Sequence, residues 1–277
     1  MDQIKVKNFI ILVLLIVNAV LACVFATDVL RERALASEAT EGVVELLTER
    51  GISVGEDVDL TERTLASPTV SRDTDEEQRK VTNVIGTSDV TDQGGNIRLY
   101  FGSGGEAGLR GTGRVEMNIR RGAYGSGGDP LDVAVEFMRD FGMEAVGEPV
   151  SSDIDPETQE GTLTLECAYN GTSVVNCTLT FTFAEGELVG VYGTRVLDNI
   201  SSGRQLTTID VPTVLMRFVA LLRDQNRVCS SLDSLELCYH MSVNAAGEGE
   251  LVPVWRIVTD TGEFYINAVT GIEETIA

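Results

Sequence analysis

Residues 8–26, NFIILVLLIVNAVLACVFA, constrain this chain more than any other stretch. They carry no charge and are apolar apart from Asn8 and Asn18. A helix of this length reaches across about 30 Å of hydrocarbon. Lys5 and Lys7 stand just before it, which places residues 1–7 in the cytoplasm by the positive-inside rule. Nothing else in the chain forms an apolar run of this length. Everything from Thr27 onward is therefore expected on the extracytoplasmic side of a cell membrane. Two processing readings compete with a retained single-pass anchor. Val24, Phe25 and Ala26 offer small residues at signal-peptidase spacing, and Val20, Leu21, Ala22 and Cys23 loosely resemble a lipobox. Against both, the run is longer than the usual core of a signal peptide and continues into a helical pattern. Asn18 is the strongly polar residue deep in the run. It is either tolerated there or donates an interhelical hydrogen bond, worth about 0.6–2 kcal/mol.

The remaining chain is long enough for one or two domains of ordinary size. The formal charge of the whole sequence, -22, repels nucleic acid and anionic surfaces, and names no substrate. Of 5 cysteines, Cys23 lies in the apolar run. Cys167 and Cys177 flank one short polar turn, and Cys229 and Cys238 flank another. Close pairs in an exported chain suggest two local disulfides. Zinc is the alternative, but these spacings are not those of zinc ligands.

Residues 28–50 show helical recurrence of Leu30, Ala34, Ala39, Val43 and Leu47, with Gly51 as the stop signal. Such a helix either continues the membrane helix outward or packs on the first sheet, and both can hold. Residues 52–72 read as one or two short strands. DTDEEQRK at 73–80 reads as a solvated helix start, leading into a short helix that ends near Ile85. Residues 97–101 and 114–119 read as strands around a glycine-rich connection. Two similar stretches, FGSGGE at 101–106 and YGSGGD at 124–129, lack the Lys-Ser/Thr of a phosphate loop and read as flexible turns.

From Asp129 the pattern sharpens. Asp129 and Pro130 open a helix whose apolar face is Leu131, Ala134, Phe137, Met138 and Phe141, with Gly142 ending it. Alternation through Leu163, Leu165, Cys167 and Tyr169, then Val175, Cys177, Leu179, Phe181 and Phe183, predicts a hairpin with the two cysteines facing each other. A third strand follows over 188–196. Asp210 caps a second such helix, and strands near 235–243, 251–259 and 263–269 follow it. The fold class expected is α+β: an N-terminal transmembrane helix, then helix-plus-antiparallel-meander units. The expected division is 1–7 cytoplasmic, 8–26 transmembrane, 27–128 a membrane-proximal helix with a less regular α+β unit, 129–200 a middle unit and 201–277 a C-terminal unit.

Taken in order, MDQIKVKNFIILVLLIVNAVL, GVVELLTERGISV, VVNCTLTFTF, DSLELCYHM and LVPVWRIVTDTGEFYINAVTGIE resemble YycI-type proteins of the YycH/YycI family of Gram-positive bacteria. The last stretch also resembles the end of PepSY-like modules. The four outer cysteines, the acidity and the glycine-rich stretches depart from the family pattern. The resemblance implies a non-enzymatic, single-span regulator. Such a protein acts with a YycH-type membrane protein, as a hetero-oligomer, on a WalK/YycG-type sensor histidine kinase that governs cell-wall homeostasis. It further implies contacts between membrane helices, which would fall on Asn18, Leu14, Leu15 and Leu21. No cofactor or nucleic acid is implied.

Catalytic patterns are not apparent. His240 is the single histidine, and no G-x-S-x-G elbow occurs. Carboxylates are abundant without any two being singled out as an acid pair. Two alternatives to the regulator stand: an extracytoplasmic ligand-binding or protease-inhibitory PepSY-like module, and a cell-wall hydrolase. The hydrolase requires a cleft with paired carboxylates of shifted pKa.

Overall fold

The structure, a computed structural model, describes residues 3–56, 58–61, 63–125 and 128–276. Ser126 and Gly127 of the second glycine-rich stretch, and the side chains of Lys5, Lys7 and Cys23, lie outside the described residues.

Helix α1 (Gln3–Glu49) runs unbroken for 47 residues, about 70 Å at helical rise. Its end follows from sequence. Gly51 adopts φ 82°, Ile52 N–H donates to Leu47 O at 2.9 Å, and Gly51 N–H donates to Thr48 O at 2.9 Å. This satisfies the last carbonyls and brings Ile52 and Leu47 into the same core. Ser53 and Val54 then pair in parallel with Ser231 and Leu232.

Three helix-plus-meander repeats follow among the described residues. Helix α2 (Thr74–Ile85) is capped by Asp73, whose carboxylate accepts from the N–H groups of Asp75 and Glu76. Four strands succeed it: Ser88–Gly94, Ile97–Gly102, Gly105–Arg110 and Arg114–Ile119. Helix α3 (Pro130–Asp140), capped by Asp129, leads to Gly161–Tyr169, Thr172–Ala184 and Glu187–Thr194. Helix α4 (Val211–Asp224), capped by Asp210, leads to Ser231–Val243, Glu248–Thr259 and Gly262–Asn267.

The first two meanders share one antiparallel sheet, because Arg114–Ile119 pairs with Glu187–Thr194. Helices α2 and α3 contribute Val81, Ile85, Phe137 and Phe141 to a single core with Tyr100, Leu109, Met117, Leu179 and Phe181. The third meander has its own core, which α1 and α4 close: Leu47, Val214, Phe218, Trp255, Ile257 and Phe264. A parallel bridge between Val174 and Tyr239 links the two sheets. Asn199–Ile200 and Arg204–Gln205 pair with Val70–Ser71 and Ala66–Ser67, strapping the connector to the early chain.

Two expectations are corrected here. The region before Asp129 is as regular as the later repeats. Ser88–Gly94 is an exposed edge strand without apolar alternation, and Gly105–Arg110 buries only Ala107 and Leu109 on its inner face, with glycines between and before them. The first glycine-rich stretch is a tight hairpin turn: a Cβ at Gly105 would lie 2.1 Å from Asn118 O, and one at Gly102 2.4 Å from Ile85 O. Gly104 N–H donates to Ile85 O at 2.8 Å, so this turn closes the end of α2. Secondly, the end of α1 packs on α4 and the last sheet, not on the first.

Candidate functional site

Among the described residues, no helix is long and apolar enough to cross a membrane. Within α1, however, the described apolar side chains from Ile11 to Leu21 are 42–62% exposed. Successive residues turn 100°, so this segment presents apolar surface in every direction and none of it is buried in the chain. Leu14, Asn18 and Leu21 share one side, with Leu15 adjoining, and all four are exposed. The Asn18 carboxamide has no hydrogen-bond partner among the described residues.

A second feature was not legible in sequence. Glu77, in the supposedly solvated charge run, is 0% exposed. It lies at the phase of Val81, Val84 and Ile85, so the helix drives its carboxylate into the core. That spacing of an acidic residue three to four positions before an apolar face was the available signal. Glu77 accepts from Arg72 Nε at 2.9 Å and Nη2 at 2.6 Å, from Arg195 Nη2 at 2.8 Å and from the Tyr100 hydroxyl at 2.7 Å. Arg195, 1% exposed, also donates to both oxygens of Asp198, at 2.9 and 3.0 Å. Lys80 Nζ donates to Asp198 Oδ1 at 2.8 Å. This chain of charges ties α2, the first meander and the connector after Thr194 together. Its members come from distant sequence positions, with a buried carboxylate held between guanidinium groups.

Burial acts to raise the Asp198 pKa, but Arg195 and Lys80 outweigh it and hold the carboxyl below its ordinary range. Burial, with the hydrogen bond to Glu77, raises Tyr100 well above the usual phenol. Lys80 and Asp198 also line a cleft of about 220 Å³ with Gly142, Glu144, Tyr169 and Ile200. Every described carboxylate with a displaced pKa is displaced downward: Asp59, Asp155, Asp198, Asp260 and Glu263. A general acid at neutral pH requires the opposite displacement. Among the described residues no group of three or more His, Cys, Asp or Glu could hold a metal ion.

The cysteines differ from expectation. Cys167, Cys177, Cys229 and Cys238 are free thiols. A Cys229–Cys238 bridge is excluded because Ser231–Val243 is one extended strand. Seven residues of strand separate its start from Cys238, about 23 Å, against about 7 Å for the widest bridged Cα pair. Cys167 and Cys177 share one core, but a register shift between Glu166 and Ala168 leaves Cys167 with no opposite residue on Thr172–Ala184; its strand partner is Ala145, on a different strand. The same shift puts Val174, rather than Val175, in the core with Cys177. His240 is half-buried in its strand, and burial lowers its pKa, opposed by Glu274.

No family model matches this chain, and no curated protein matches it. Solved structures do. An uncharacterized protein from Eubacterium rectale is 12% identical at a TM-score of 0.48, covering 82% of this chain and 90% of that one. The YpeB C-terminal domain of Bacillus megaterium is 12% identical at 0.36, covering 75% and 98%. YycH from Bacillus subtilis is 13% identical at 0.39, covering 80% of this chain and 57% of that one. The chain is similar to each in backbone course alone, and TM-scores this low carry no argument about what it does.

Proposed function

We propose that this chain is a non-enzymatic, membrane-anchored regulator whose body lies outside the cytoplasm. It modulates a WalK/YycG-type sensor histidine kinase, together with a YycH-type membrane protein. The observation that carries this reading is α1. An apolar, all-round exposed segment containing Asn18 is joined without a break to Leu47, which is buried in the core of the last repeat. A helix apolar on every side is stable where lipid or other helices cover it. A rotation or shift of that segment reaches the body directly, because no flexible joint intervenes. The resemblance of the N-terminal and C-terminal stretches to YycI-type proteins supports the partner class.

The cleft beside Lys80 and Asp198 favours the second reading, a ligand-binding PepSY-like module. One experiment separates the two. Residues 8–26 are replaced by an unrelated membrane span and transcription under the kinase is measured in the native host. Lost control with normal levels of folded protein supports the regulator. Unchanged control overturns it and leaves the body as a tethered binding module.

A further inference from the structure

Between its apolar segment and the buried Leu47, α1 carries a face that the chain itself does not use. Leu35 is 56% exposed, Ala39 and Gly42 are exposed, and Leu46 is half-buried. Spaced four, three and four apart, they form one stripe of coiled-coil type. The row toward the body is a different one, running through Ala36, Thr40, Val43 and Leu47. On the opposite flank Glu38, Glu41, Glu45 and Glu49 are exposed, and none of them forms an ion pair among the described residues.

Gly42 is the second observation. A glycine within a helix costs stability relative to alanine. Here a Cβ would meet nothing within 4 Å, so no packing inside the chain calls for it. A glycine on a helix seam lets another backbone approach closely. Counted back in sevens, the same seam meets Glu32 and Asp28 before it reaches Phe25, Leu21 and Asn18, so the apolar docking stripe is confined to residues 35–46.

We infer that this stripe docks a parallel helix of a different membrane-anchored protein, apolar along its seam and bearing Lys or Arg where it meets the glutamates. The inference rests on the reading of α1 as an anchor and specifies the surface through which a partner engages. Charge selects the occupant. In a parallel pair, the flank carrying the glutamates faces the opposite flank of the partner helix. In a second copy that flank is covered by its own body, and the chain's net charge of -22 opposes the approach.

The test uses the full-length chain in native membranes, with a photoreactive residue at Ala39 and, as control, at Ser37 on another face. The expected adduct forms at 39 and not at 37. Its peptide maps to a helix adjoining the partner's membrane span, with Lys or Arg beside the seam. Gly42→Leu, and separately Glu38→Lys with Glu45→Lys, each lower the adduct about tenfold or more while the melting temperature does not fall, tenfold being about 1.4 kcal/mol of docking energy. An adduct between two copies of the chain, equal labelling at 37, an adduct insensitive to both variants, or no adduct from chain confirmed in the membrane overturns the inference. If replacing residues 8–26 abolishes kinase control while the Ala39 adduct is missing, the regulator reading stands and the docking face falls.

Discussion

Replacing Glu77 with glutamine tests whether the buried charge chain holds the first two repeats together. The carboxylate accepts from four donors: two on Arg72, one on Arg195 and one on Tyr100. Glutamine keeps the shape, but its amide end donates where a guanidinium already donates. Arg195 retains Asp198 as counter-ion. Arg72 retains the carbonyls of Asn96 and Leu109 and at most the neutral amide oxygen of the glutamine, and becomes a nearly buried cation without its paired carboxylate. Breaking one side of a buried pair costs about 3–5 kcal/mol. For a chain of this size that lowers the melting temperature by about 6–20 °C. Trp255, the single tryptophan and buried in the third core, reports unfolding of the full-length chain in nanodiscs by fluorescence. A loss under about 1 kcal/mol, the scale of an exposed ion pair, would refute the reasoning. Adding Arg72→Met should recover part of the loss, since the stranded cation is then removed as well.

Other expectations follow from single groups. Asp198 has a folded pKa below its unfolded value, so its stabilisation is complete above about pH 4 and is lost as pH falls through the folded value. Acid melts of the parent should therefore drop more steeply below pH 4 than those of Asp198→Asn; parallel slopes contradict the pairing. His240 also titrates lower in the folded chain, because burial disfavours its cation. Its contribution is complete above about pH 6.5 and is lost on acidification from there. His240→Gln should flatten melting temperature against pH in that window, and an unchanged profile counts against its burial. Burial pushes the Cys167 and Cys238 thiols up to about 12, and raises Cys229 less, where it is only partly covered. Native-state alkylation followed by peptide mapping should label Cys229 first. A disulfide between Cys229 and Cys238 would disprove the strand that separates them.

The helices α3 and α4 were readable because each announces itself locally. An aspartate caps the first turn, a proline follows, and apolar residues recur on one face. Gly51 marked the end of α1 for the same reason: a left-handed residue and an apolar neighbour are both local facts. The strands Thr172–Ala184 and Glu248–Thr259 were legible through alternation, since one face of each is buried. Ser88–Gly94 was not, because an edge strand exposed on both faces is held by backbone hydrogen bonds that leave no side-chain pattern. Glu77 looked solvated because its neighbours in sequence are charged; Arg72 and Tyr100 meet it once the first repeat folds, and Arg195 only once two repeats share a sheet. The apolar run, the acidic body and the recurring helix-plus-meander layout were thus set by local composition and periodicity. Which repeat receives the end of α1, where the cysteines fall, and which charges are buried were decided by the tertiary structure, because each depends on contacts between residues far apart in the chain.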